Sequence, residues 1–244
     1  MRNIKLVVQY DGSAFQGWQR QRDPNTVQQV LEEAIASVTQ EAVRVHGAGR
    51  TDAGVHALGQ VAHFFSKSRL AVNRLVEAIN ARLPPTVSVK RAREMPADFH
   101  ARHSAKGKVY RYTILNGPTR SPLERHTAWW IRAPLNATSM QQAASILAGT
   151  HDFRAFCTKA SGRIFTTRTL RRLVVRRTGC HIYVTLEADG FLYNMARAIV
   201  GTLVQVGRGR IGPQDVSDIL DSGLRPRAGP TAPAHGLCLM RVLY

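Results

Sequence analysis

Between residues 4 and 10 the chain reads IKLVVQY, placing Ile4, Leu6, Val8 and Tyr10 on one face, and DGSAFQGWQRQ then breaks the alternation with two glycines. A period of two is that of a half-buried strand, and the break marks a loop. Thr26 and Gln29 have the spacing of a capping box, and Val27, Val30, Leu31, Ala34, Ile35 and Val38 follow at helical intervals. AVRVH (42–46) and QVAHFF (60–65) read as further strands. Val72, Leu75, Val76, Ile79 and Leu83 mark a second helix stopped by Pro84 and Pro85, and VSVKR (87–91) closes this half as a strand.

The second half has the same kind of pattern. KVYRYTIL (108–115), LRRLVV (170–175), HIYVTLEA (181–188) and GLCLMRVLY (236–244) predict strands, and SMQQAASILAG and Leu192–Val206 predict helices. On the second of these helices Leu192, Met195, Ala196, Ile199, Leu203 and Val206 form the apolar stripe, with Asn194, Arg197 and Gly201 opposite. The elements add up to an α+β fold of two lobes around a shared, mostly antiparallel mixed sheet with a basic central cleft. The join falls near SAKGK, which gives lobes of residues 1–104 and 105–244. Asp98-Phe99-x-Ala101 and Asp152-Phe153-x-Ala155 echo one another, but four residues do not make a repeat.

Charge changes this picture more than composition does. Lys and Arg number 34 against 16 Asp and Glu, a formal net charge of +18, and only six of the cations are lysine. Such a surplus calls for a polyanion, and arginine's planar fork suits phosphate. Arg154 to Arg177 holds eight cations and no acid, which fits either a solvated face or a wall for substrate. The three cysteines, Cys157, Cys180 and Cys238, are widely spaced and support neither a disulfide framework nor a cysteine-rich zinc site. With no signal-peptide pattern at the N-terminus and no long uncharged apolar run, the expectation is a soluble, cytoplasmic protein with no membrane partner.

Against this basic background one acid stands out, Asp52 in GAGRTDAGVHA (47–57). The stretch fails as a dinucleotide fingerprint, because the third glycine would fall on Asp52, and it fails as a phosphate loop, because Val55-His56 replaces the required Lys-Ser/Thr. His46, His56 and His63 have no compact ligand spacing, and Glu187 with Asp189 offers no more than a pair of acids, so a metal is not expected. Two readings remain for Asp52: a carboxylate acting by itself as nucleophile or base, or an acid that caps a turn.

YDGSAFQGWQRQ, GAGRTDAGVHALGQVAHF, FHAR (99–102), YRY (110–112), FLYNMARAIVGTL and APAHGLCL occur in that order, and together they resemble the tRNA pseudouridine synthases over nearly the whole chain. The resemblance implies isomerisation of uridine to pseudouridine at positions thirty-eight to forty of the tRNA anticodon stem-loop, without metal or cofactor, by a homodimer. It makes Asp52 the catalytic nucleophile, Tyr110 the ring that stacks on the base and Arg197 the arginine that pairs with the carboxylate. It makes Arg50 a residue that helps hold and flip the nucleotide, and Leu237 part of the apolar wall of the base pocket. Asn194, Ala196 and Cys238 depart from the residues usual in those blocks. A non-catalytic RNA chaperone or assembly factor would use the same basic surface, and a metal-dependent nuclease would require clustered acids.

Overall fold

The computed structural model describes residues 1–22, 25–158 and 165–244. It is an α+β protein, and its ten strands among the described residues are mixed and mostly antiparallel. The chain forms two compact units, Met1–Lys106 with Cys238–Tyr244, and Gly107–Leu237.

In the first unit the alternating segment forms β1 (Arg2–Tyr10), which lies between β3 (His56–Ser66) and β4 (Val87–Met95), antiparallel to both. β2 (His46–Gly47) pairs antiparallel with β3, so the strand expected at 42–46 is reduced to its last residue and the glycine after it. The final strand of the described chain, β10 (Leu237–Leu243), runs parallel to β3, with Cys238 opposite His56 and Leu239 opposite Ala57. α1 (Val27–Thr39) and α2 (Val72–Asn80) supply Leu31, Ile35, Leu75 and Ile79, which are buried, as are Ile4, Leu6, Val8 and Tyr10 of β1. Only half of the expected capping box forms. Thr26 Oγ1 accepts from the Gln29 amide at 3.4 Å, but the Gln29 side chain donates to Glu33, one turn on, rather than reaching back. A second small core of Ala48, Val61, Phe99 and Ala101 is joined by Val7, Met95 and Val242.

In the second unit β5 (Gly107–Asn116) pairs antiparallel with β9 (His181–Ala188), β9 with β8 (Thr167–Thr178), and β8 with β7 (Gly149–Asp152). β6 (Trp129–Ile131) runs parallel to β5. The helices are α3 (Ala137–Leu147), α4 (Met195–Gly207) and α5 (Asp215–Ser222). Asn136 caps α3 by accepting from the Ser139 amide at 3.0 Å. The sequence pattern missed β6, β7 and α5. The two strands are too short to show a period, but α5 carries readable signals: Pro213 before it, Asp215 and Asp218 in its first turn, and Gly223 as a left-handed cap.

Both Asp-Phe-x-Ala motifs bury the phenylalanine and the alanine, Phe99 and Ala101 in the first unit and Phe153 and Ala155 in the second. In the second the acid has local work, since Asp152 accepts from the Arg154 amide and from its Nε.

Candidate active site

Asp52 sits on a turn between β2 and β3. The Val55 amide donates to the Asp52 carbonyl at 3.1 Å, and Gly54 takes φ 79°, the left-handed value a type II turn requires at its third residue. The turn is held from behind by buried groups of the YDGSAFQGW loop. Trp18 donates its amide to the Thr51 carbonyl at 3.1 Å, and the hydroxyls of Tyr10 and Thr51 are 2.8 Å apart. Burial pushes the Tyr10 phenol far above its ordinary range, so that hydroxyl stays neutral and bonded to Thr51. The approach to the turn is fixed in the same way: the Ala48 amide donates to the Val61 carbonyl at 2.7 Å, and Gln60 Nε2 to the Gly49 carbonyl at 2.9 Å.

These contacts satisfy backbone polar groups on both sides of Asp52 and leave its side chain half-buried and Arg50 exposed. Arg50 Nε donates to Gln19 Oε1 at 3.2 Å, which ties it to the same supporting loop. The backbone that carries this carboxylate is thus braced on both sides.

The histidines near this loop do separate things. His56 Nδ1 accepts from the Gly12 amide at 3.0 Å. His46 and His63 stack at 5.1 Å with His100 close to both, and burial drives the His63 imidazole down to about 4. His63 Nδ1 accepts from the Ala101 amide at 3.2 Å, a bond open only to the neutral ring. Among the described residues no group of three or more His, Cys, Asp or Glu is placed to hold a metal ion.

The second unit holds Tyr110, Arg197 and Leu237. On β5, Tyr110, Tyr112 and Ile114 share a face, and all three are buried. Tyr112 is a core residue: its hydroxyl donates to the Pro233 carbonyl at 2.7 Å, and burial raises its phenol while the Arg197 charge opposes that rise. Tyr110 lies two residues along, its ring edge-on to Phe191 with centroids 5.0 Å apart.

Arg197 projects from the first turn of α4, a helix buried on nearly every side. The side opposite the apolar stripe is therefore not open, because residues 228–233 lie across it. A Cβ on Gly201 would collide with the Pro230 carbonyl oxygen, and the Gly229 amide donates to Thr202 Oγ1 at 2.8 Å. Arg197 is held by that segment: its Nε donates to the Ala232 carbonyl at 2.8 Å, its own carbonyl accepts from the Ala232 amide, and Nη1 donates to Asn194 Oδ1 at 3.0 Å. Asn194, at φ 61°, opens the helix in the left-handed region, where asparagine is among the least strained residues. Leu237 is buried where the same segment passes into β10.

Tyr10, Trp18, Thr51 and Gln60 thus support the Asp52 turn, and Ala232 supports Arg197, without their chemistry having been singled out in the sequence. Their signal was membership in the recurring blocks, not any chemistry of their own. Of the basic run 154–177, Lys159 and Arg163 lie outside the described residues. Arg171, Arg172 and Arg176 on β8 are exposed.

Asp52 on a braced turn, in a chain with a large cationic surplus, marks a candidate active site in a protein suited to a polyanion. Comparison with known proteins gives the family. Residues 6–104 and 143–244 match the family model for tRNA pseudouridine synthase. The chain is 47% identical to tRNA pseudouridine synthase A of Thermoanaerobacter pseudethanolicus and 46% identical to that of Acetivibrio thermocellus, in each case over 100% of both chains. It is 45% identical to tRNA pseudouridine synthase A of Geotalea daltonii over the same full lengths. The chain belongs to the tRNA pseudouridine synthase family, and it is an isomerase acting on tRNA. No helix among the described residues is long and apolar enough to cross a membrane.

Proposed function

We propose that this enzyme converts uridine to pseudouridine at positions thirty-eight to forty of the tRNA anticodon stem-loop, with Asp52 as the nucleophile. The observation that carries the reading is the mounting of Asp52, with the backbone around it anchored by buried hydrogen bonds to Trp18, Gln60 and Val61 while its side chain is only half-buried. The reaction breaks the bond between N1 of the base and C1′ of the ribose, turns the base, joins C5 to C1′, and loses the C5 proton while N1 takes one up. An ionised Asp52 begins this by attack on C1′ or C6, or by removing the C2′ proton. All three routes need a charged acid in a partly dry pocket, where desolvation favours the neutral form and a nearby cation favours the charged one.

Arg197 is assigned that cationic role, Tyr110 stacking on the base, Arg50 holding and flipping the nucleotide, and Leu237 the apolar wall beside the base. Stacking a base on an aromatic ring is worth about 1–3 kcal/mol, comparable with the few kcal/mol needed to unstack a nucleotide, so phosphate contacts must supply the remainder. The family resemblance also supports a homodimer working in the cytoplasm without metal or organic cofactor. The test is to incubate the protein with an unmodified tRNA transcript and no added metal, then map pseudouridine along the anticodon arm. Pseudouridine confined to another arm would overturn the positional assignment, and none at all would overturn the catalytic one.

A further inference from the structure

A cavity of about 500 Å³ opens at the β5–β6 edge of the second unit, walled by Leu115, Ala128, Trp129 and Trp130 and flanked by Arg120 and Arg125. That volume is in the range of small-ligand pockets, and the mixture of a flat apolar wall with a few polar groups is typical of them. Its walls fall largely within residues 105–142, which lie between the two stretches matched by the family model.

The tryptophans are pre-set. β6 is parallel to β5 with Trp129 opposite Ile114 and Trp130 opposite Leu115, so the two rings leave the strand on opposite faces. Trp130 donates its indole N–H to the Gly117 carbonyl at 3.0 Å, which fixes the ring although 40% of the residue is exposed. Trp129 is held edge-on to Tyr112, with centroids 6.3 Å apart.

The charges are uneven in the same place. The one acid on the wall, Glu124, lies 2.7 Å from His181 Nε2. Among the described residues Arg125 donates only to the Pro122 carbonyl, and neither Arg120 nor Arg125 is paired with an acid. A flat ring with two uncompensated guanidinium groups beside it matches a nucleotide, with the base on the indole and the phosphodiester on arginine. Duplex RNA keeps its bases stacked, and an apolar peptide has no use for two cations.

We propose that this cavity binds an unpaired nucleotide of the substrate tRNA other than the uridine being converted. The proposal rests on tRNA being the substrate. The test uses the full-length protein as Trp130→Ala, Trp130→Phe and the double variant Arg120→Ala/Arg125→Ala, with an unmodified tRNA transcript and a blunt RNA duplex as probes. Trp130→Ala should raise the Kd for tRNA about tenfold and leave the duplex unaffected, and Trp130→Phe should stay within about twofold of the parent. In turnover the Trp130→Ala loss should fall on KM more than on kcat. The double arginine variant should reduce the slope of log Kd against log salt by about 1.4 to 1.8. Melting curves establish that each variant is folded, and the Phe variant separates ring loss from local collapse.

Unchanged tRNA affinity in Trp130→Ala would overturn the proposal, as would an equal loss for the duplex. So would a change of oligomeric state on removing the ring, since that would make the cavity a contact between copies of the chain. If the parent enzyme forms no pseudouridine, the catalytic reading fails while the binding measurements still decide the cavity.

Discussion

The turn bearing Asp52 and the helix bearing Arg197 solve one problem, how to hold a charged side chain still, in opposite ways. In the first unit the fixed parts are backbone amides and carbonyls of a loop, held by partners from β1, β3 and a neighbouring loop, and the carboxylate itself is half-buried. In the second unit the scaffold is a helix buried almost all round, and the guanidinium itself is gripped, by a backbone carbonyl and an asparagine. Loops hold a group in place only when their backbone hydrogen bonds are satisfied internally, whereas a buried helix does so through packing. The first arrangement should fail through lost hydrogen bonds and the second through overpacking.

The largest difference is expected from Asp52→Asn, which keeps shape and removes charge. Single-turnover pseudouridine formation should fall by roughly 10⁴-fold or more, with tRNA affinity within a few-fold of the parent. Retained turnover would remove Asp52 from the chemistry. Arg197→Lys should fall next, by about 10²-fold in kcat, because an ammonium cannot reproduce the fork that reaches both Ala232 and Asn194. A lysine variant of near-parent rate would reduce Arg197 to a point charge.

Gly201→Ala probes the packing side of the comparison. With the Pro230 carbonyl in the way, overpacking should cost about 3 kcal/mol, seen as a lowered urea midpoint at unchanged m. A variant as stable as the parent would show that residues 228–233 move freely off α4. Tyr10→Phe probes the loop side and should cost about 1–2 kcal/mol, since it leaves the buried Thr51 hydroxyl without that partner. Its kcat should drop more than its stability suggests if the bond to Thr51 sets the position of Asp52.

Acid probes the first unit without any substitution. His63 has a folded pKa of about 4, below the ordinary imidazole value near 6.5, so the folded state prefers the neutral ring. Its contribution is complete above pH 6.5 and is lost as pH falls from there towards 4, at up to about 1.4 kcal/mol per pH unit for one proton. Denaturation curves of the parent and His63→Phe should therefore converge on acidification, and parallel pH profiles would exclude His63 as their source.

The sequence carried the fold where periods were long enough to read. β1, α1, β9 and α4 follow from spacing, while β6, β7 and most of β2 owe their existence to partner strands that no local pattern announces. Asp52 was legible as a candidate because an acid among bare glycines in a basic chain is conspicuous. Its supports were not, because Tyr10, Trp18 and Gln60 look like ordinary strand and loop residues until the fold brings them to the turn. The helical wheel placed Arg197 correctly opposite the apolar stripe, but nothing local could show that residues 228–233 would cover that side.

The parallel pairing of β10 with β3 has a consequence for biosynthesis. Residues 238–244 belong to the unit that begins at Met1, and Tyr244 donates its hydroxyl to the Ala101 carbonyl at 2.7 Å. As the chain leaves the ribosome, that unit waits for its closing strand until all of Gly107–Leu237 has been translated, and until then β3 keeps an unpaired margin. The half that bears Asp52 is therefore the first to be started and the last to be finished.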